Sequence, residues 1–416
     1  MRNTLLILLF LFSINERGQA QKIQQSKSEP FYDMHIGMFT HYMFPQDNYQ
    51  WGATQWADGS VVQSLDELAD NFDAEDFANT AASMGAQYVI FTTWHANMNA
   101  LYPSEVIPKW IPGHTSKRDV IRDLIREVKK KEIKVILYIH PCDGHDFSKE
   151  DQERTGWNDG EPYTKWSNFI ISVMNEIIDR YGKDLYGFYL DGGIQRVDGP
   201  LLRKTILDKM PKAVLIQNQG LKPEIVDYGA HERMEAPYPA TNWLRCQTIT
   251  EEWWAKEATV TLSPELAYRY TILQAAVKDR TGGGVSWSFG PHPGGRWELG
   301  VPSFCARLGK LVNKTGSSLF GTRPSKAYVT LEGTALTGLP YVATESLDGQ
   351  TTYLHVFSPP KGSSILLPVP ADGRQFKSAK FTNGEGILLI QDESGVKLMV
   401  ESPEVWDDID TIIELN

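Results

Sequence analysis

Four apolar runs in the sequence each end in a residue that can carry out acid–base or nucleophilic chemistry. His41, His95 and His140 follow the first three runs, and Asp191 closes the fourth, residues 185–190. A carboxylate in this position can act as a nucleophile or base, and imidazoles can bind hydroxyl groups or transfer protons. An aspartate before two glycines often only caps a turn, and a single histidine is more often structural. Four such residues at equivalent strand ends predict a functional site.

The elements that would position these residues alternate between strands and helices. Strands are predicted over residues 36–41, 87–93, 134–139, 185–190 and 214–216. Helices are predicted to begin at Ser64, Asp73 and Ser116, and a fourth, over 166–178, closes at Gly182. This alternation predicts a parallel α/β sheet. Because polar groups recur at successive strand ends, we predict a closed (β/α)8-like TIM barrel with its site on the rim of strand C-termini.

The character of the sequence changes after about Thr322. Short β-forming runs separated by Gly, Pro and Asp replace the helical periodicity, at residues 328–331, 351–357, 364–367, 386–391 and 396–400. This pattern predicts a C-terminal β-sandwich. We therefore expect three parts: a signal peptide over residues 1–20, a catalytic barrel over 21–322 and a β-sandwich domain over 323–416.

Composition and the N-terminus narrow the class of protein. The net charge of −11 and the pI near 5.4 make nucleic acid an improbable partner. Arg2, a short apolar run over 5–12 and small residues ending at Ala20 predict a cleaved signal peptide, and thus export to the periplasm or the medium. The run is too short for stable membrane insertion, although a retained anchor is the alternative. The oligomeric state is not predicted.

An exported, acidic protein with many aromatic residues is compatible with carbohydrate chemistry, because aromatic faces stack on sugar rings. Glycoside hydrolysis needs a second carboxylate besides Asp191. The candidates between the fifth strand and the helix near Pro264 are Glu224, Glu232, Glu235, Glu251, Glu252 and Glu257. The neighbours of Glu232 and Glu235 are typical of a loop, whereas the last three candidates are compatible with a solvated helix face.

Several blocks of the sequence resemble glycoside hydrolase family 29, the retaining α-L-fucosidases. They are the opening strand 36–41, the segments 72–74, 85–95 and 101–104, the motif Tyr189-Leu190-Asp191-Gly192, the glycine-rich stretch 283–295 and residues 319–324. The resemblance covers about residues 31–400. It implies an enzyme that acts on an oligosaccharide or glycan. We expect no cofactor and no metal ion.

The resemblance also implies roles for two carboxyl groups. Asp191 is the implied nucleophile, and Glu232, which closes the segment 227–232, is the implied acid/base, with Glu235 as the alternative. Asp191 would attack the anomeric carbon while Glu232 protonates the departing oxygen, and Glu232 would then act as base on water. This double displacement requires the carboxyl groups about 5–5.5 Å apart and an acid whose pKa is raised by its surroundings.

The sequence departs from the family pattern around the expected sugar pocket. Residues 95–98 read His-Ala-Asn-Met where the family commonly has His-His-Asp-Gly, and residues 138–140 read Tyr-Ile-His where Tyr-Tyr-Ser is usual. An arginine expected near Gln219 or Gly220 is absent. We expect the catalytic groups to be retained and the pocket to be altered. The predicted substrate-binding residues, with both tryptophans as stacking walls, are His41, Trp56, His95, Asn97, Tyr138, His140, Tyr189 and Trp297.

The sequence therefore predicts an exo-acting glycosidase for α-L-fucosides or the closely related α-L-galactosides. Two other classes stay open: a catalytically silent carbohydrate-binding barrel, and a related hydrolase of a polysaccharide, sulfated or not. The cluster of His140, Cys142, Asp143 and His145 is a weak metal candidate because its spacing is uneven. Cys142 is a weaker candidate for a nucleophile because no base partner is identified.

Overall fold

The computed structural model describes residues 31–45, 52–142, 144–192, 194–218, 220–232, 243–280 and 282–416. Eight parallel strands follow one another in sequence order, and the eighth pairs with the first to close a barrel. The strands are β1 (Ile36–Thr40), β2 (Tyr88–Thr92), β3 (Lys134–Ile139), β4 (Gly187–Leu190), β5 (Val214–Asn218), β6 (Tyr228–Glu232), β7 (Trp243–Thr248) and β8 (Val285–Ser288). The predicted TIM-like barrel is confirmed.

Helices follow β1, β2, β3, β4, β7 and β8 along the chain, whereas none is described between β5 and β7. They are α1 (Leu65–Asp70), α2 (Ala74–Ser83), α3 (Ile107–Trp110), α4 (Val120–Lys129), α5 (Lys149–Thr155), α6 (Thr164–Tyr181), α7 (Gly199–Lys209), α8 (Pro264–Ala276) and α9 (Val301–Thr315). Ser64 and Asp73 cap α1 and α2 as predicted, each accepting a hydrogen bond from a first-turn N–H. Within the described residues, no helix is long and apolar enough to cross a membrane.

The start of α4 and the position of Glu232 differ from the prediction. The helix expected from Ser116 begins at Val120, because Asp119 accepts the hydrogen bond from Arg122 N that caps it. The Ser116 hydroxyl instead donates to the Arg118 carbonyl. Glu232, expected in a loop, is the last residue of β6 and lies opposite Cys246 of β7 in the parallel register. That pairing depends on a distant strand and leaves no local apolar pattern.

The C-terminal part forms an antiparallel sheet with the strand order β12-β15-β14-β13-β16-β11-β10-β9. Its strands are β9 (Thr322–Pro324), β10 (Tyr341–Ser346), β11 (Thr352–Val356), β12 (Ser364–Leu367), β13 (Ala379–Phe381), β14 (Gly386–Asp392), β15 (Gly395–Met399) and β16 (Thr411–Leu415). Only two residue pairs join β13 to β14, and buried side chains from both sections of the sheet share one core. The predicted all-β domain is confirmed.

The strand predicted over residues 328–331 is wrong. This segment is not part of the C-terminal sheet, and its Thr330 forms an isolated parallel bridge with Val277 after α8. The Thr330 carbonyl also accepts a hydrogen bond from Lys278 N, at 2.8 Å. Residues 328–331 are β-forming in composition, but the one bridge of this segment joins Thr330 to the end of α8 and not to the C-terminal sheet.

Candidate active site

The strand register brings the predicted residues together at the C-terminal mouth of the barrel. Ile139 of β3 is paired with Leu190 of β4, so the residues that follow, His140 and Asp191, lie side by side. The Nε2 atom of His140 is 4.0 Å from Oδ2 of Asp191. On the other side of β2, Nδ1 of His41 lies 2.7 Å from the Thr92 hydroxyl. Because neighbouring parallel strands end at the same level, the residues that follow them lie in one cluster at the barrel mouth.

Asp191 is held as a carboxylate by donors on both of its oxygens. The Tyr138 hydroxyl donates to Oδ2, while Gly192 N and Asn218 Nδ2 donate to Oδ1 at 2.7 and 2.8 Å. Burial by itself would raise the pKa of Asp191. The neighbouring His140 and the hydrogen bonds to the carboxylate outweigh that burial and hold the pKa at about 2. An ionised, buried carboxylate at the mouth of a barrel is suited to nucleophilic attack.

The Glu232 carboxylate lies next to Asp191 and shares a hydrogen-bond donor with it. Asn218 Nδ2 donates to Glu232 Oε1 at 2.7 Å and to Asp191 Oδ1 at 2.8 Å. These two oxygens therefore lie no further apart than the two distances combined, about 5.5 Å. Residues from β4, β5 and β6 meet at this point. Of the six glutamates considered from the sequence, Glu232 is thus placed beside Asp191, and Glu235 lies outside the described residues.

Asn218 is a site residue that the sequence analysis did not select. It is the last residue of β5 and is 5% exposed. Its Oδ1 accepts a hydrogen bond from the Tyr189 hydroxyl at 2.9 Å, which directs its Nδ2 toward the two carboxylates. The only signal in the sequence is its position at the end of the strand that follows Asp191. Neighbouring Gln217 and Gln219 have the same polar character, so the sequence could not single it out.

Three histidines and Tyr138 form one wall of the site. The His95 ring stacks on Tyr138 with centroids 5.6 Å apart and planes 7° apart, and His140 lies 5.2 Å from His95. The His41 ring meets Tyr138 edge-on at 4.7 Å. Burial lowers the pKa of His41 to about 4 and that of His95 well below its usual range. Both imidazoles are therefore neutral at pH 7 and can both donate to and accept from hydroxyl groups.

Trp253 is a second residue that the sequence analysis missed. It lies on the segment between β7 and α8 and is half-buried. Its ring centroid lies 5.8 Å from that of Phe39 and 6.4 Å from that of His41. Because β7 itself was not predicted, the sequence offered no reason to place Trp253 at the barrel mouth rather than elsewhere. Its position makes it the aromatic wall of the site.

Two of the predicted substrate-binding residues have other roles in the structure. The Trp297 indole donates to Asp76 at the start of α2, and its ring packs 6.2 Å from Phe77 and 5.8 Å from Phe289. Trp297 therefore packs against α2, and its role as a stacking wall stays a prediction.

Asn97 is 1% exposed, and its amide donates to the Phe44 carbonyl. Its side chain joins two loops, and a role for Asn97 in substrate binding stays a prediction. Trp56 is half-buried and lies beside the Gly294 turn. A role for Trp56 in substrate binding stays a prediction.

The candidate metal cluster and the candidate nucleophile Cys142 lie close together in the loop that follows β3. Among the residues that it describes, no three His, Cys, Asp or Glu side chains are grouped so that they could hold a metal ion. Asp143 of the proposed cluster lies outside the described residues. Cys142 is buried, and this burial raises the pKa of its thiol to about 12. A protonated thiol is a poor nucleophile.

A family model described as Alpha-L-fucosidase matches residues 15–316, which include every strand of the barrel and both carboxylates of the site. The chain belongs to the alpha-L-fucosidase family. This is a family of glycoside hydrolases, and the resemblance to glycoside hydrolase family 29 is confirmed. The family to which the chain belongs is thus the one that the motifs around His41, His95 and Asp191 indicated.

Individual family members are only distantly related in sequence. A Caenorhabditis elegans protein named "Putative alpha-L-fucosidase" is 23% identical over 335 residues. The match covers 70% of this chain and 66% of that protein, so the chain spans just under two thirds of the relative's length.

The fold is that of solved alpha-L-fucosidases. An alpha-L-fucosidase of glycoside hydrolase family 29 from Bacteroides thetaiotaomicron, trapped as a covalent intermediate, aligns with a TM-score of 0.69 at 19% identity, over 93% of this chain and 94% of that chain. A Thermotoga maritima alpha-fucosidase in complex with a mechanism-based inhibitor aligns with a TM-score of 0.70 at 16% identity, over 93% and 97%. At this identity the likeness concerns the fold alone.

Proposed function

We propose that this protein is an exported, retaining exo-glycosidase that hydrolyses α-L-fucosides or a close relative such as α-L-galactosides. Membership of the alpha-L-fucosidase family supports the reaction class. The observation that carries the proposal is the pairing of Asp191 and Glu232 at the barrel mouth, where Asn218 binds both carboxylates. The predicted signal peptide supports export.

The spacing of the two carboxyl groups favours retention of configuration. Retaining glycosidases have carboxyl groups about 5–5.5 Å apart, whereas inverting enzymes leave about 6.5–9.5 Å for a water molecule. The oxygens of Asp191 and Glu232 that bind Asn218 are at most about 5.5 Å apart. This distance is below the range that inverting enzymes need to hold a water molecule. The spacing fits direct attack by a carboxylate.

The reaction proceeds in two displacements at the anomeric carbon. In the first, Asp191 forms a bond to this carbon, the glycosidic C–O bond breaks, and Glu232 transfers its proton to the departing oxygen. In the second, Glu232 removes a proton from water, the water oxygen attacks the same carbon, and the bond to Asp191 breaks. Asp191 is then a free carboxylate again and Glu232 is protonated again. The anomeric configuration has been inverted twice and is therefore retained.

The environment of Asp191 suits its role in both steps. Tyr138, Gly192 and Asn218 donate hydrogen bonds to its oxygens, so the carboxylate is ionised before it attacks and is a stable leaving group in the second step. The neutral imidazoles of His41 and His95 line the same cavity mouth and serve sugar hydroxyls. Because the sequence departs from the family pattern around the expected sugar pocket, His140 included, the proposal covers α-L-galactosides as well as α-L-fucosides.

The proposal is tested with chromogenic aryl glycosides. Wild type, Asp191→Ala, Glu232→Ala and Glu235→Ala are assayed on α-L-fucoside, α-L-galactoside and α-D-galactoside. We expect hydrolysis of an α-L-sugar only, with kcat reduced by about 10³-fold or more in Asp191→Ala, and by about 10²- to 10⁴-fold in Glu232→Ala on substrates with poor leaving groups. Glu235→Ala serves as the matched control and should retain activity.

Azide identifies the role of each carboxyl through the product. With Glu232→Ala, azide should attack the covalent intermediate and give an α-glycosyl azide. With Asp191→Ala, it should attack the substrate directly and give the β-azide. NMR of the products distinguishes the two. Full activity of Asp191→Ala would reject the nucleophile, and rescue of Glu235→Ala instead of Glu232→Ala would reassign the acid/base. A wild type inactive on every α-L-sugar would favour the binding-protein or polysaccharide alternatives.

A further inference from the structure

Asn218 donates to both carboxylates of the site through one nitrogen atom. Its Nδ2 lies 2.8 Å from Asp191 Oδ1 and 2.7 Å from Glu232 Oε1. An amide nitrogen carries two hydrogens, so each carboxylate receives one of them. Asn218 is 5% exposed, and water cannot readily replace these bonds. The spacing of the two reacting carboxyl groups therefore depends on the position of a third, uncharged side chain.

We propose that Asn218 is a positioning residue that holds Asp191 and Glu232 at their working distance and confines the transferable proton of Glu232 to Oε2. The proposal rests on the function proposed above. An oxygen that accepts a hydrogen bond from Asn218 cannot also direct an O–H toward it, because two hydrogens would then face each other. Oε1 is the accepting oxygen. The acid proton is therefore assigned to Oε2, because the carbonyl oxygen of a carboxylic acid accepts a hydrogen bond better than its hydroxyl oxygen, and Oε2 would then face the leaving oxygen.

Tyr189 fixes which way the Asn218 amide points. Its hydroxyl donates to Asn218 Oδ1 at 2.9 Å, and its ring stacks on Tyr138 with centroids 5.6 Å apart. If the amide were flipped, its oxygen would face the two carboxylates, which are acceptors only. The Tyr189 hydroxyl would then face the amide nitrogen and would lose the acceptor of its hydrogen bond. Tyr189 is 1% exposed and packs in the barrel interior. Its hydroxyl donates to Asn218, so it acts on the two carboxylates through Asn218.

Other titratable groups also face Asp191 and must be considered in any pH measurement. They come from the strands packed around it and are His41, His95, Tyr138, His140, Cys142, Tyr189, Glu232 and Cys246. Of these groups, Glu232 and Tyr189 also lose a hydrogen bond when Asn218 is replaced, but Glu232, as the acid, governs the basic limb and not the acidic one. A shift of the acidic limb in such a variant therefore reports the lost Asn218 bond, because removing a donor to an ionised carboxylate raises its pKa.

The test compares wild type with Asn218→Ala, Tyr189→Phe and the double variant on an aryl α-L-glycoside. Asn218→Ala should lower kcat about 100-fold with KM changed little, and move the acidic limb of kcat/KM to higher pH. Tyr189→Phe should lower kcat about 2- to 10-fold, and have no further effect in the Asn218→Ala background. Gln217→Met, on the adjacent residue whose Oε1 accepts from Lys222 N, is the matched control.

Several outcomes would overturn the proposal. They are an unchanged kcat and acidic limb in Asn218→Ala, an equal loss in Gln217→Met, or additive losses in the double variant. If wild type hydrolyses no α-L-glycoside, the proposed function fails, and the role of Asn218 is judged without turnover. Titration of the Asp191 carboxyl carbon by NMR should then show a higher pKa in Asn218→Ala, and an unchanged pKa would reject the role. Thermal unfolding of each variant identifies any that does not fold.

Discussion

The imidazole of His41 shows how a single residue links function to stability. It is 6% exposed, and burial lowers its pKa to about 4 although Asp191 opposes this effect. In the unfolded chain the pKa of a histidine is about 6.5. The folded protein therefore keeps His41 neutral at the pH where the unfolded chain begins to bind a proton. The neutral ring suits hydroxyl binding, and keeping it neutral lowers the free energy of unfolding only at acidic pH.

We predict that acid destabilises the protein through His41. As the pH falls from about 6.5 to about 4, the unfolded state binds a proton that the folded state does not, so the free energy of unfolding falls by up to about 3 kcal/mol from this residue. Urea denaturation of wild type and His41→Phe at pH 7.0 and 4.5 measures the effect. The variant should lose less stability between the two values. Parallel losses would contradict the prediction.

At the scale of elements, the segment between β7 and α8 is held in place by contacts outside the barrel. This segment carries Trp253, the aromatic wall of the site. Glu298, 4% exposed, accepts a hydrogen bond from Lys256 N at 2.8 Å, and the Ala255 carbonyl accepts one from Gln55 N at 3.0 Å. Burial raises the pKa of Glu298 to about 7. A buried carboxyl group thus positions a loop that the chemistry needs.

We predict that Glu298→Gln stabilises the protein more at pH 8 than at pH 5. Glu298 has a folded pKa near 7, above the value of about 4.3 in the unfolded chain, so rising pH costs stability between these values. Glutamine keeps the accepting oxygen without this cost. The stability of the variant relative to wild type should rise by up to about 3 kcal/mol from pH 5 to pH 8. Unfolding curves at both pH values check this, and a constant difference would contradict it.

At the scale of the whole molecule, a buried polar network joins the barrel to the C-terminal domain. The Tyr268 hydroxyl of α8 donates to Asp410 at 2.6 Å and accepts from Thr315 of α9 at 3.0 Å. His355 of β11 approaches the same Asp410 oxygen at 2.7 Å. Nearby, Arg269 donates to the Ile409 carbonyl at 2.9 Å. These contacts hold the C-terminal domain against α8 and α9 of the barrel domain.

We predict that Tyr268→Phe destabilises the protein by about 1–3 kcal/mol, because it removes a donor from the buried Asp410 carboxylate. The control is Lys204→Ala, which removes an exposed ion pair with Asp208 and should cost no more than about 0.5 kcal/mol. Denaturant unfolding at pH 7 measures both. Equal losses in the two variants would show that the network does not anchor the domain.

Several features of this protein follow from local sequence. Apolar runs bounded by turns determine where buried strands end, and they are sufficient to place His41, His95, His140 and Asp191 at or just beyond strand ends. The capping side chains of Ser64 and Asp73 likewise determined two helix starts. These are interactions within a few residues, and the amino-acid types are sufficient to predict them.

The tertiary structure alone decided which polar residues meet. Glu232 joins Asp191 because β6 pairs with β5 and β5 with β4, and Asn218 at the end of β5 bridges the two carboxylates. Trp253 reaches the site from a segment beyond β7. Trp297, equally aromatic, packs against α2 instead. Such contacts depend on the register and closure of strands far apart in the chain, and no local pattern of residues encodes them.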